Sequence, residues 1–223
     1  MSFPIAPAKL PSLEVSPDKL AAFDDAFEEV SELLMSIADH LFYHNIAHTL
    51  SWVLGWCDRL GRLAKLSSDD IFLLRLAALF HDVGYKNMYS DNEPIGAQFA
   101  SNFMARYPCF SESDITTVSS LIIATNLSFD VQNTESDHLR LLQCIIRDAD
   151  VAHLASESYA EQAENLRREL EHQFQKEIPQ CKWNQDNLKF FDSHQWLSPP
   201  AKELFEEGKK SNYNLLLNLT RKC

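Results

Sequence analysis

Glycine is scarce, with five residues in a chain of 223. No run alternates apolar and polar residues with the period of two that a half-buried strand requires, whereas long stretches repeat at helical spacing. Together these features exclude a sheet-based fold and predict an all-α one. Cys-x-x-Cys is also missing. The five cysteines, Cys57, Cys109, Cys144, Cys181 and Cys223, are odd in number and widely spaced, which points to reduced thiols. There is no signal peptide and no long apolar span, so the expected compartment is the cytoplasm, with no membrane partner. No basic stripe offsets the net charge of −12, which argues against a nucleic acid polymer as partner. Internal repeats and low-complexity tracts are absent as well. Oligomeric state is not set by any of this.

What is present is a succession of amphipathic helical segments with recognisable starts. Residues 1–16, with Pro4, Pro7 and Pro11, read as an extended arm. Ser16-Pro17 reads as an N-cap followed by proline at the first helical position. Phe23, Phe27, Val30 and Leu34 then mark one apolar face. A break is expected near Tyr43, with a new helix from about Asn45. Ser67-Ser68-Asp69-Asp70, Asn92-Glu93-Pro94, Ser111-Glu112-Ser113-Asp114 and Thr134-Glu135-Ser136-Asp137 each open a further helix. Mixed charge over 157–176 reads as a helix with a solvated face. Residues 177–200, rich in aromatics, read as an irregular lid or Ω-like loop, and a last helix is expected from about Ala201 to Leu219.

Chemistry concentrates where apolar segments end. Leu76 to Phe80 run directly into His81 and Asp82, with Gly84 following as an expected helix C-cap. Leu139, Leu142 and Ile146 run into Asp148 and Asp150 in the same way, and His48 opens another apolar stretch. An imidazole and a carboxylate are costly to bury unless something pairs with them. A divalent ion accepts both, so His48, His81, Asp82 and Asp150 form a candidate mixed N/O site for Mn, Fe, Mg, Co, Ni or Zn.

The motifs Tyr43-His44-Asn45-x-x-His48-Thr49, Ala78-Leu79-Phe80-His81-Asp82-Val83-Gly84-Tyr85 and Asp148-Ala149-Asp150 stand in the order H…HD…D. Over roughly residues 40–155 the chain resembles the HD-domain superfamily of metal-dependent phosphohydrolases. Asp91-Asn92-Glu93 and the Glu206 to Asn212 pattern look like an uncharacterised bacterial branch of it. The resemblance implies a compact helical HD core over 17–156, with C-terminal helices and the aromatic loop over 157–223 packed on it. It implies His48, His81, Asp82 and Asp150 as ligands of one divalent ion, with Asp148 supporting or capping. The activity implied is hydrolysis of a phosphate ester or anhydride of a nucleotide or similar small molecule, by attack of a metal-activated water.

Two roles stay open for His44: general acid toward the leaving oxygen, as in the cyclic-nucleotide phosphodiesterase branch, or a structural histidine bonded to a carboxylate. Lys86, on the loop after His81-Asp82, is a candidate phosphate contact or a solvated lysine. Glu93 is a candidate for holding water, substrate or a second cation, or an acid placed for the helix dipole. Where two-metal relatives carry further histidines, this chain has Asn92 and Thr125-Asn126, so one ion is expected. The acidic pair of the guanosine tetraphosphate hydrolases is replaced by Gly84-Tyr85-Lys86-Asn87, which argues against that activity. The alternative function is a catalytically idle domain that binds a nucleotide or a protein.

Overall fold

The computed structural model describes residues 10–36, 40–134 and 136–222. Among these residues there are helices and no strand. The helices are α1 (Pro17–Met35), α2 (Leu54–Leu63), α3 (Ser68–Phe80), α4 (Asn92–Met104), α5 (Glu112–Ile123), α6 (Asp137–Asp150), α7 (Tyr159–Phe174), α8 (Gln180–Ser193) and α9 (Pro199–Thr220). A π-helical turn (His48–Val53) leads into α2, and short 3₁₀ turns follow α3, α5 and α6. The expected all-α fold is therefore found.

α3 is the hub. From Ile71 to Phe80 every side chain is buried, and α1, α2, α4, α5 and α6 all pack around it. A helix apolar on all sides is stable only inside such a shell. Burying each of Leu74, Leu76 and Leu79 contributes about 1.5–3 kcal/mol relative to leaving it in water. Arg75 is the exception on this helix, and the Asp58 carboxylate satisfies it at 2.5 Å. The same guanidinium donates to the Pro11 carbonyl at 2.6 Å, which pins the described end of the arm. The rest of the expected arm, residues 1–9, lies outside the described residues.

Helix starts follow the sequence signals. Ser16 accepts from the Lys19 N–H with Pro17 at the first helical position. Ser67–Asp70 and Ser111–Asp114 form reciprocal capping boxes, and Ser136 accepts from Leu139. Caps of this kind are worth about 1 kcal/mol each. Helix ends depart from expectation at Gly84. No glycine among the described residues has positive φ, and α3 stops at Phe80, so Gly84 is not a left-handed cap. It is required for proximity: a Cβ there would lie 2.0 Å from the Asn92 carbonyl oxygen. Gly96, in the second turn of α4, meets the same constraint, since its Cβ would lie 2.7 Å from the Phe80 carbonyl oxygen. These two contacts seat the start of α4 directly on the end of α3.

The C-terminal region corrects a second expectation. Residues 180–193 form a regular helix, α8, and not an aromatic loop. Trp183, Asn187 and Phe190 are spaced by four and three, which is helical periodicity. The core is continuous from Leu13 to Leu216, and Phe205 of α9 meets Trp56 of α2 edge to face at 4.8 Å. Cys57, Cys109 and Cys144 are free, but Cys181 is disulfide-bonded, so the expectation that all five thiols are reduced does not hold. No helix among the described residues is long and apolar enough to cross a membrane.

Candidate metal centre

His81 and Asp82 stand where α3 runs out of the core. His81 is 1 % and Asp82 5 % exposed. The His81 Nδ1–H donates to the Ala78 carbonyl at 2.9 Å, which fixes the ring and turns Nε2 inward. His48 arrives from the π turn. Asn45 starts that segment, its side-chain oxygen accepting from the Ala47 and His48 N–H groups. The Leu54 N–H then reaches back five residues to the Thr49 carbonyl, inserting one extra residue in the turn. Asp150 arrives as the last residue of α6.

The distances are short and mutual. His48 Nε2 is 3.5 Å from Asp82 Oδ2 and 3.1 Å from Asp150 Oδ1. His81 Nε2 is 3.2 Å from Asp82 Oδ2 and 3.6 Å from Asp150 Oδ1. His48, His81 and Asp82 form a group that could hold a metal ion, with ligand atoms all within 4.8 Å of one another. Two of those atoms, His81 Nε2 and Asp82 Oδ2, are buried without any hydrogen-bond partner. Burial opposes charge on His81, yet Asp82 and Asp150 hold its pKa well above the ordinary imidazole value. Burial likewise opposes charge on Asp150, but His48 and His81 pull its pKa down. The carboxylates thus hold a proton on an imidazole where a divalent cation fits, so the donor set and its unpaired atoms fit such an ion.

Asp148, two residues earlier, is occupied otherwise. It accepts from the Ser198 N–H at 2.7 Å, the Ser198 hydroxyl at 2.6 Å and the Leu197 N–H at 2.9 Å, tying α6 to the start of α9. Burial pushes its carboxyl up to about 6 against those bonds. It thus anchors the two residues that lead into α9, and Asp150 alone of the pair faces the imidazoles.

Asp82 and Asp150 of the group line a cavity of about 470 Å³, a volume typical of small-ligand sites, and the two imidazoles lie behind them. His44, Asn92, Glu93 and Thr125 line it too. The Asn92 Oδ1 and Glu93 Oε2 atoms are buried and unpartnered, while Thr125 spends its hydroxyl on the Ile122 carbonyl. Lys86 is not brought here. It is exposed and lines a separate cleft with His40 and Gln173.

Sequence reasoning missed Glu169. It belongs to α7, expected to present a solvated face, yet it is 0 % exposed. Its Oε1 lies 2.5 Å from His44 Nδ1 and accepts from the Tyr89 hydroxyl at 2.9 Å. Its Oε2 accepts from the Tyr43 and His44 backbone N–H groups at 2.8 and 3.0 Å. Burial disfavours charge on His44, but the Glu169 bond and the nearby carboxylates raise its pKa overall. The other ring nitrogen lies 3.1 Å from the Tyr85 hydroxyl. His153 was missed as well. Its Nδ1 accepts from the Tyr43 hydroxyl at 2.8 Å, and burial, with His48 nearby, pushes its pKa down to about 3. The signal for Glu169 was its place on the stripe Tyr159, Ala163, Leu166, Glu169, where an apolar residue would ordinarily stand.

The chain matches no family model and no curated protein.

Proposed function

We propose that the protein is a metal-dependent phosphohydrolase of the HD type, acting on a small phosphate compound, with His48, His81, Asp82 and Asp150 holding one divalent ion. The observation that carries this is the convergence of buried, unpartnered His81 Nε2 and Asp82 Oδ2, 3.2 Å apart, directly behind the wall that Asp82 and Asp150 give a ligand-sized cavity. Buried polar atoms without partners are rare and call for an occupant. A divalent ion in this place supplies Lewis acidity toward a phosphoryl oxygen and lowers the pKa of water.

The chain supplies the proton. With Nδ1–H donated to Glu169, protonated His44 carries its second proton on Nε2, and it gives that proton to the leaving oxygen. Glu169 keeps the ring oriented and stabilises its charge, as a carboxylate does for a catalytic imidazole. Tyr85 holds the Nε2 side until substrate enters. In this reading His44 takes both roles left open by the sequence: the bond to Glu169 supports it as an oriented histidine, and that orientation suits it to serve as acid. Neutral Asn92 and Thr125 are poor donors to a second transition ion, and Glu93 alone favours a weakly held hard cation.

The test is a hydrolysis screen of metal-loaded protein against nucleoside mono-, di- and triphosphates, cyclic nucleotides and generic phosphodiesters, with metal content measured alongside. One ion per chain and turnover lost in Asp82→Ala is the expected result. No turnover of any compound by protein that binds its ion sinks the enzyme reading in favour of an idle binding domain.

A further inference from the structure

Of the candidate metal-binding group only Asp82 and Asp150 line the cavity, and the residues lining the rest constrain what enters. Asp82, Glu93, Asp150 and Asp186 are all carboxylates on its wall, and no lysine or arginine among the described residues lines it. Lys182 and Lys189 lie outside and are paired with Asp186. One divalent ion offsets Asp82 and Asp150, and the two lysines offset Asp186, so Glu93 remains and no lysine or arginine is left over. Sites for polyphosphates gather lysine or arginine around each successive phosphoryl group, because every added group brings negative charge that must be neutralised. This wall offers the second and third phosphoryl groups of a polyphosphate no lysine or arginine to neutralise them.

The remaining wall is apolar. Leu127, Leu166, Trp183 and Phe190 line the cavity and none is fully buried, so their surfaces lie partly open. Trp183 and Phe190 are seven residues apart on α8 and therefore share a face of it. Trp183 stacks on no other ring among the described residues. Its turn of helix is fixed by Asn187, whose amide donates to the Trp183 carbonyl at 2.9 Å and accepts from the Tyr159 hydroxyl at 3.2 Å. A rigidly seated aromatic face next to a cation-poor, ligand-sized space recognises a planar ring.

We propose that the substrate carries a single phosphoryl group on an aromatic body, the ring lying against Trp183 and Phe190 while the phosphoryl group meets the metal-binding end. This rests on the phosphohydrolase reading and narrows it. It also gives α8 a role, that of the specificity wall.

The test is calorimetric titration of the metal-loaded protein with adenosine 5′-monophosphate, ribose 5-phosphate and adenosine 5′-triphosphate, followed by turnover of the first two. They share the same reacting ester and differ only in the base. The monophosphate should bind on the order of 10- to 100-fold more tightly than ribose 5-phosphate, and more tightly than the triphosphate. Trp183→Ala should erase the preference for the base and leave metal content unchanged, and Trp183→Phe should keep most of it. Leu127→Arg, at a position 56 % exposed, should shift affinity toward the triphosphate. Equal binding of the first two compounds, tightest binding of the triphosphate, or no binding of any would overturn the proposal. So would a preference that survives Trp183→Ala. Should the preference appear without bond cleavage, the ring site stands and the hydrolase reading falls.

Discussion

Two clusters of buried charge lie along α3, one at its middle and one at its end, at similar depth and with opposite bookkeeping. At its middle, Arg75 meets Asp58 of α2, and the two are 5 % and 4 % exposed. Asp58 Oδ1 accepts from Arg75 Nε at 3.0 Å, Oδ2 accepts from Arg62 Nε at 3.0 Å, and the guanidinium has the Pro11 carbonyl besides. Both charged groups there have their partners. Just past its end His81 and Asp82 are as deeply buried, yet Nε2 and Oδ2 face one another and two further ionisable groups without a hydrogen bond. Burial alone therefore does not separate a structural ion pair from a site. What separates them is whether the polar atoms are satisfied from within the chain.

The comparison breaks most sharply on stability. Asp58→Ala should cost roughly 3–5 kcal/mol, because it strands a buried guanidinium. Urea unfolding reads this directly, and metal uptake should be unchanged in whatever protein stays folded. A cost under about 1 kcal/mol would remove the distinction between the clusters. Next in size is Glu169→Gln, which keeps an acceptor for the Tyr43 and His44 N–H groups but removes the charge behind His44. Turnover should fall about 10- to 100-fold with metal content intact, in line with other residues that orient a catalytic or ligating histidine.

Smaller still is the effect of Asp82→Ala on metal-free protein. Its unfolding free energy should move by less than about 1 kcal/mol, since the change relieves a crowded site, while the rise in melting temperature on adding metal disappears. Smallest is a pH effect. The folded-state pKa of His153, about 3, lies below the ordinary value of 6.5. The unfolded chain therefore takes up this proton first, and the stability involved is present above pH 6.5 and is lost as pH falls toward 3. His153→Gln, which still accepts from Tyr43, should show a shallower acid limb than wild type in paired unfolding curves. Superimposable limbs would mean that His153 titrates normally.

Much of this was legible in the chain itself. Ser67 with Asp70 and Ser111 with Asp114 are local signals and mark true helix starts, and apolar segments ending in His81-Asp82 and Asp150 mark the site. Glu169 was not legible in the same way. Its neighbours Glu164, Arg167 and Glu171 do pair with one another along α7, and a single buried carboxylate hides well among exposed ones. The α8 helix is obscured by its aromatics, whose composition suggests a loop while their spacing carries the helix. Lys86 looks near the site in sequence, but the 3₁₀ turn Val83–Lys86 carries it to a different cleft. The disulfide at Cys181 left no local trace because pairing is a tertiary fact.

The extra residue in the π turn at His48 has a consequence for how this chain can change. An α-helix advances by about 100° per residue, so the turn sets the phase of His48 against that of Val53, Leu54, Cys57 and Leu60. Those four residues are buried in the core. Deleting one residue between Thr49 and Val53 would restore an ordinary ladder and leave composition nearly untouched. It would also force a choice, because either the histidine or the apolar face must rotate away from its place. Length in this short segment is thus under tighter constraint than identity, and many substitutions should be tolerated where no deletion is.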